Sequence, residues 1–193
     1  MKKVLFMFVA LTFVLTSCSS LNKHRFNQRV YDKGGKAYVV LGAENNAGHA
    51  DIIVNNYFIF SNDRGESYSL YIANGETFSF LLSPGNYQLV KYTLYGEVSY
   101  FGVENSIRAD FTKYTEGSFS LKEGDAVYLG SIILEIEEKA KNVWKRFFGF
   151  AINPADTAYT TSVQNKLSSV DIEAFETEAG KNIEVRLMEW KKK

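Results

Sequence analysis

The chain has 193 residues, of which 46% are hydrophobic and 15% aromatic, so it is long enough to bury one well-filled core. Its 22 basic residues balance its 22 acidic residues, which leaves no electrostatic footprint for binding nucleic acid. One cysteine and two histidines exclude a disulfide framework and a thiolate zinc site, and they leave little for metal or nucleophilic catalysis. We therefore expect no cofactor, no metal and no enzymatic activity.

The beginning of the chain has the composition of a targeting segment. Lys2 and Lys3 precede an almost unbroken apolar run over 4–15, and small residues then lead to Cys18. The run is shorter than the ~20 residues that a membrane-spanning helix needs. A charged start, a short apolar run and small residues before a cleavage point are typical of a secretory signal peptide.

This segment resembles the signal peptide and lipobox of bacterial lipoproteins. The resemblance implies that residues 1–17 are removed, that Cys18 becomes the acylated first residue, and that this lipid makes the membrane a partner. Ser19 is similar to the residue that follows the cysteine in outer-membrane lipoproteins, so we predict an envelope protein anchored in the outer membrane. Polar residues and a Gly34-Gly35 pair predict a flexible tether over 18–35.

Residues 36–137 show β patterns throughout. Apolar or alternating runs predict strands at 38–41, 52–60, 67–72, 78–82, 87–95, 98–103, 119–121 and 126–136. Turn residues separate many of these runs, at 62–65, 74–75, 83–86 and 122–125. In the third turn, Pro84 and Gly85 predict type II geometry with a positive φ at Gly85. Strands at this spacing, without helical segments between them, favour an antiparallel sandwich over a parallel sheet.

Two short motifs add a resemblance to this pattern. Residues 80–89 resemble the apolar-Pro-Gly-x-Tyr-x-Leu hairpin of transthyretin-like and carboxypeptidase-regulatory-like sandwich domains. Residues 119–130 are similar to the Gly-x-x-Tyr-Leu-Gly strand of bacterial lipoproteins that carry such sandwiches. The resemblance implies an Ig-like or transthyretin-like β-sandwich, and it carries no particular activity.

The composition changes after residue 137, and we interpret 138–193 as an appendage packed on the sandwich. Asn153 suits a helix cap and Pro154 the first helical position, and apolar residues then recur on one face, which predicts a helix near 154–168. From Asp171 onward, the pattern fits either a second helix or a strand. The predicted fold class is therefore mainly β, with a C-terminal helical addition.

Candidate metal sites have simpler interpretations. The segment 61–66 gathers oxygen ligands around Gly65, but it lacks the spacing of a calcium loop, so we interpret it as a hairpin turn. His24 and His49 have no acidic or cysteine residues at ligand spacing, and we interpret both as surface histidines.

A dense run of tyrosines is the first candidate functional feature. Tyrosine offers an apolar ring with a polar tip, so an exposed row on a sheet can stack on sugar rings or form an interface. Packing in the core and across strands is the alternative. The candidates are Tyr57, Tyr68, Tyr71, Tyr87, Tyr92 and Tyr95.

A segment that is both aromatic and basic is the second candidate. Such a segment can lie at a lipid interface near an acyl anchor, and packing against the sheet is the alternative. Its candidate residues are Trp144, Lys145, Arg146, Phe147 and Phe148.

Together these features predict a non-catalytic binding or assembly module of the cell envelope. Its expected partner is another envelope protein or a glycan. The alternative is a module that binds a glycan or small ligand through an exposed, tyrosine-rich sheet face.

Overall fold

The computed structural model describes residues 26–47, 54–100, 103–113, 115–137 and 159–192. The strands in these ranges are β1 (Ala37–Asn45), β2 (Val54–Asn62), β3 (Ser67–Ile72), β4 (Glu76–Leu82), β5 (Gly85–Tyr100), β6 (Val103–Asp110), β7 (Thr115–Leu121), β8 (Ala126–Ile136), β9 (Tyr159–Gln164), β10 (Glu184–Val185) and β11 (Glu189–Lys192). The helices are α1 (Gln28–Asp32) and α2 (Ser169–Ala179).

The strands form two sheets. In the first sheet, β4, β1 and β8 lie side by side, and β9 and β10 share the remaining edge of β8. In the second sheet, β3, β2 and β5 are neighbours, β6 and β7 share the far edge of β5, and β11 pairs with β7. Apolar residues from both sheets form one common core, including Val39 and Leu129 from the first and Phe58 and Leu94 from the second. The predicted mainly β, sandwich-type fold class is confirmed.

The two sheets differ in how many of their faces are buried. In β2, buried residues alternate with partly exposed ones, as expected for a strand with one face on the core and one in solvent. β1 and β8 are buried at almost every position, because both of their faces are covered. These two strands also pair in parallel. Strand periodicity did not predict the parallel pairing, because six strands, β2 to β7, separate the two partners along the chain.

Three of the predicted turns cross between the sheets, and the first of them, at 74–75, connects β3 in the second sheet to β4 in the first. The turn at 62–65 is a true hairpin: the Gly65 N–H donates to the Asn62 carbonyl over 3.0 Å, and Gly65 has a φ of 78°. Residues 83–84 instead connect β4 in the first sheet to β5 in the second. Gly85 has a φ of 152°, positive as predicted but far from the value of type II geometry, so the predicted type II hairpin is wrong. The 122–125 turn also crosses, from β7 to β8.

The predicted helix near 154–168 is wrong over 159–164, which form β9 and pair antiparallel with β8. The β-branched residues Thr160, Thr161 and Val163 suit a strand, and pairing with β8 outweighs the apolar spacing that suggested a helix. Residues 154–158 lie outside the described part of the chain. The C-terminal helix is α2, which begins after a capping box at Ser168 and ends at Gly180, whose φ is 68°.

The segment 159–192 is part of the sandwich rather than an appendage, so the predicted boundary at 137 is wrong. The region after Asp171, for which both a helix and a strand were open, contains α2, then β10 in the first sheet and β11 in the second. Trp190 lies against Gly117: a Cβ at that glycine would stand 2.8 Å from the indole. The end of the chain therefore ties the two sheets together at one edge.

The predicted flexible tether over 18–35 is wrong over 26–35, which lie packed on the first sheet. Residues 26–35 contain α1, and Phe26 and Tyr31 pack on the outer face of the first sheet beside Tyr38. Phe26 and Tyr31 hold this segment against the sheet, because aromatic side chains stabilise a fold when their ring surface is buried. Residues 18–25 lie outside the described part of the chain.

Candidate functional site: an open tyrosine face

Three of the six candidate tyrosines point into the core, and their assignment to an exposed face is wrong. Tyr92 is fully buried and stacks on Phe58, with ring centroids 4.7 Å apart. Tyr87 stacks on Phe119 at 5.0 Å, and Tyr68 packs edge-on against Tyr87 at 5.7 Å. Burial raises the pKa of the Tyr87 and Tyr92 hydroxyls. These three rings stabilise the sandwich.

A β-bulge explains why simple alternation misplaces the tyrosines of β5. Phe60 faces Leu89 while Ile59 faces Lys91, so Val90 is an extra residue in β5. Residues 87 and 89 point inward before the bulge, and 92 and 94 point inward after it. The bulge therefore brings Tyr92 into the core and places Tyr95 on the outer face, the reverse of strict alternation from Tyr87.

The other three tyrosines lie together on the outer face of the second sheet. Tyr57 in β2 is opposite Tyr71 in β3 and opposite Thr93 in β5. Tyr95 lies two residues beyond Thr93 on the same side of β5 and is opposite Arg108 in β6. We call this surface the tyrosine face; it consists of Asn55, Tyr57, Ser69, Tyr71, Lys91, Thr93, Tyr95 and Arg108.

Ring contacts and hydrogen bonds orient the tyrosines. The rings of Tyr57 and Tyr95 are nearly perpendicular, with centroids 5.9 Å apart. Tyr71 is 46% exposed, and its hydroxyl accepts a hydrogen bond of 2.5 Å from the Asn55 amide. The Tyr57 hydroxyl donates to Ser69 over 3.4 Å. The result is an aromatic platform whose ring surfaces and hydroxyl groups are partly accessible to solvent.

Two cations lie against this platform. The Lys91 ammonium is 5.8 Å from the centroid of the Tyr57 ring, and the Arg108 guanidinium carbon is 5.6 Å from that of Tyr95. Both distances fall within the range of cation–π attraction. Asp110 is exposed on the same face, opposite Thr93. The described side chains around Thr93 therefore carry two positive charges and one negative charge.

A buried hydroxyl lies at the centre of the tyrosine face. The strand register places Thr93 between Tyr57 and Asp110 across the sheet, and between Lys91 and Tyr95 along β5. Thr93 is fully buried, and its Oγ1 has no hydrogen-bond partner among the described residues. Burying a hydroxyl without a hydrogen-bond partner costs free energy of folding, so such groups are rare in folded proteins and often mark functional positions.

The outer face of the first sheet is covered. Residues of α1 and α2 pack over it and form a second apolar cluster around Tyr38, Val40, Leu81 and Tyr128. The Tyr38 hydroxyl donates to the Glu178 carboxylate over 2.5 Å, and the Ser79 hydroxyl donates to the same oxygen over 2.9 Å. Burial, reinforced by the Glu178 carboxylate, raises the pKa of Tyr38. This face serves to hold the helices in place.

Of the remaining candidate sites, the structure describes only the segment 61–66. The segment 61–66 forms the predicted hairpin turn, in which the Asn62 and Tyr68 side chains donate to Glu66 and lower the pKa of its carboxyl. Among the described residues, no three acidic, histidine or cysteine side chains gather as ligands for a metal ion. Cys18, both histidines and the aromatic-basic segment from Trp144 to Phe148 lie outside the described part of the chain.

None of the helices within the described ranges has the length and apolar character needed to cross a membrane.

Comparison of the chain with models of protein families found no match, and comparisons with curated proteins and with solved structures found none either.

The sequence interpretation did not single out Lys91, Thr93 or Arg108. Lys91, Thr93 and Tyr95 do recur at every second position in β5, which is a detectable signal that they share one face. Arg108 gave no such signal, because its position beside Tyr95 depends on the pairing of β5 with β6.

Proposed function

We propose that this chain is a non-catalytic binding module that is held at the cell envelope by a lipid on Cys18 and binds carbohydrate through its tyrosine face. One observation carries the proposal: three tyrosines share, with two cations, an outer sheet face that no helix or strand of the described ranges covers, while the other outer face is covered by helices. A fold that needed these rings only for stability would bury them, as it buries Tyr87 and Tyr92.

The chemistry of the face suits a sugar. The C–H faces of a pyranose ring stack on tyrosine rings, and its hydroxyl groups exchange hydrogen bonds with short polar side chains such as Asn55 and Ser69. A displacement of the Tyr57 and Tyr95 rings on binding would also give the Thr93 hydroxyl its missing partner. A sheet face is flat and open along the strands, so a segment of polysaccharide fits it better than a small molecule that needs enclosure.

The two cations add a preference among sugars. Lys91 and Arg108 outnumber Asp110 around Thr93, so a carboxylate or sulfate group on a sugar bound there gains attraction. We therefore expect acidic polysaccharides to bind better than neutral ones, and this difference to shrink as salt screens the charges.

The binding test uses the full-length chain in detergent and a panel of immobilised neutral and acidic polysaccharides. Tyr57→Ala and Tyr95→Ala are expected to weaken binding about tenfold or more, because each removes a stacking ring. Gln88→Ala is the matched control, since Gln88 is exposed on the outer side of the same sheet but outside the tyrosine face. Failure of the parent to bind any member of the panel, or an equal loss with Gln88→Ala, would contradict the proposal.

The anchor is tested separately. Cys18→Ala is expected to abolish metabolic labelling by a fatty acid and to leave uncleaved precursor or soluble protein, with polysaccharide binding unchanged. Continued acyl labelling of Cys18→Ala would show that this cysteine is not the point of attachment.

A further inference from the structure

The β3 strand forms one edge of the second sheet and, within the described ranges, pairs with β2 alone. Its sequence, Ser-Tyr-Ser-Leu-Tyr-Ile, contains no charged residue and no proline, and its register with β2 has no bulge. Folded proteins usually protect an edge strand with one of these three devices, because bare backbone groups invite another strand to pair. The edge is therefore unprotected by its own sequence.

The hairpin turn determines which backbone groups of β3 point outward. The Asn62 N–H donates to the Glu66 carbonyl over 2.9 Å, so residues 62 and 66 form a hydrogen-bonded pair. Hydrogen-bonded and non-hydrogen-bonded pairs alternate along an antiparallel ladder. The N–H and C=O groups of Tyr68, Leu70 and Ile72 consequently face β2, and those of Ser67, Ser69 and Tyr71 face away from the sheet.

We propose that β3 pairs with β3 of a second copy of this chain, antiparallel, about a twofold axis at Ser69. This register sets Ser69 opposite Ser69 of the second copy and Ser67 opposite Tyr71. Each facing pair then exchanges two backbone hydrogen bonds, because all three outward residues present both their N–H and their C=O. No charges oppose one another along the strand, and each large Tyr71 side chain faces a small Ser67.

A second copy fits this edge better than an unrelated strand because β3 complements itself. A twofold axis needs a surface that matches its own image, and the register about Ser69 is the one that pairs all of Ser67, Ser69 and Tyr71 with outward residues of the second copy. The neighbouring edge strand β4, in the first sheet, begins with the exposed Glu76 and lacks this symmetry. The inference does not depend on what the tyrosine face binds.

The dimer has a geometric consequence for the binding face. Side chains that face each other across an antiparallel pair lie on the same side of the sheet, so the two second sheets would form one continuous sheet. Tyr71 belongs to the tyrosine face and also lies in the paired strand, so the two faces would adjoin on one surface. Two adjoining sites on one polymer strand bind more tightly than either alone, through the raised effective concentration of the second site.

Cross-linking in the envelope tests the register. Ser69→Cys is introduced into the full-length chain, and intact cells are treated with a mild oxidant. Facing residues of a hydrogen-bonded antiparallel pair have Cα atoms about 5.5 Å apart, within the range that a disulfide spans, so a covalent dimer is expected. The parent chain, which contains Cys18, and the Gln88→Cys variant are the controls, and neither is expected to cross-link. Ser69→Cys yielding no more dimer than Gln88→Cys would overturn the proposal.

Light scattering on the full-length chain in detergent gives an independent measurement. The parent is expected to be a dimer, and Ser69→Lys is expected to weaken the dimer about tenfold or more because two lysines then face each other. Gln88→Lys adds the same charge away from the edge and should leave the dimer intact, and circular dichroism confirms that each variant is folded. A monomeric parent, whether another segment of the chain or a different partner covers β3, would overturn the proposal.

The proposed sugar binding and the proposed dimer can be contradicted independently of each other. Ser67→Pro removes an outward N–H group of β3 at a residue outside the tyrosine face, and is expected to break the dimer. This monomeric variant should still bind a short oligosaccharide with the affinity of the parent, while losing the extra affinity for a long polysaccharide. If neither form binds sugar but the dimer forms, the proposed function fails and the dimer stands.

Discussion

The two outer faces of this sandwich show what happens to the same residue type in different surroundings. Tyr38, on the first sheet, is fully buried beneath α1 and α2 and bonds to a carboxylate of the covering helix. Tyr71, on the second sheet, lies on an outer face that keeps it 46% exposed. A tyrosine on a strand is therefore structural or available for binding according to what covers it.

The sequences of the strands reflect whether one or both of their faces are covered. β1 and β8 read as near-continuous apolar runs, which is typical of strands covered on both faces, whereas β2 and β3 alternate. The covered face thus contributes apolar burial to folding, whereas no helix of the described ranges adds such burial to the outer face of the second sheet.

The largest expected effect comes from making the same truncation on both faces. Tyr38→Ala removes a fully buried ring and its hydrogen bond to Glu178, and should lower the free energy of unfolding by about 3 to 5 kcal/mol. Tyr71→Ala removes a half-exposed ring and should change it by less than about 0.5 kcal/mol. Chemical denaturation of both variants measures the contrast, and equal losses would show that the two faces are equally structural.

A smaller effect is expected from the cap of the covering helix. The Ser168 hydroxyl accepts from the Asp171 N–H over 3.2 Å, and the Asp171 carboxylate accepts from the Ser168 N–H over 3.1 Å. Ser168→Ala breaks this box and should destabilise the fold by about 1 kcal/mol. Glu173→Ala, an exposed change in the same helix, is the control and should have little effect. An unchanged melting temperature in Ser168→Ala would contradict a stabilising role for this capping box.

The smallest expected effect is a pH-dependent change in stability, which involves the segment that passes from the first sheet to the second. Arg186 bonds to Asp125 at 2.9 Å and to Glu184 at 2.6 Å, and so fastens β10 and its flanks to the turn between β7 and β8. Burial by itself would raise the pKa of Asp125, but the Lys122 N–H and the Arg186 guanidinium outweigh it and lower that pKa. Hydrogen bonds from Arg186 also lower the pKa of Glu184.

These lowered pKa values determine the sign of the pH dependence. Carboxyls with a folded-state pKa below the unfolded value stabilise the fold above the unfolded pKa, near 4, and this stabilisation is lost as pH falls through the folded pKa. Between pH 5 and pH 3, the melting temperature should fall further in the parent than in Arg186→Met, by about 1 to 2 °C, because the ion pairs are partly exposed. Thermal melts at the two pH values measure the difference, and parallel losses in both proteins would contradict it.

Several elements could be predicted from the sequence because local chemistry determines them. The hairpin at 62–65 follows from its Asn-Asp-Arg-Gly sequence, and the strands β3 and β8 were predicted almost to the residue. Of the candidate site residues, Tyr57, Tyr71 and Tyr95 lie on one outer sheet face. Tyr68, Tyr87 and Tyr92 were grouped with them because composition alone does not distinguish the two sides of a strand.

Hydrophobic periodicity and turn residues by themselves determined that this protein is a β-sandwich, because both act over a few neighbouring residues. Tertiary structure alone decided that the bulge at Val90 turns Tyr92 inward and Tyr95 outward, and that 159–164 form a strand on β8. It also decided which sheet face is covered, because the bond from Tyr38 to Glu178 joins residues 140 positions apart. Contacts over such separations depend on the packing of the whole chain, and no local pattern specifies them.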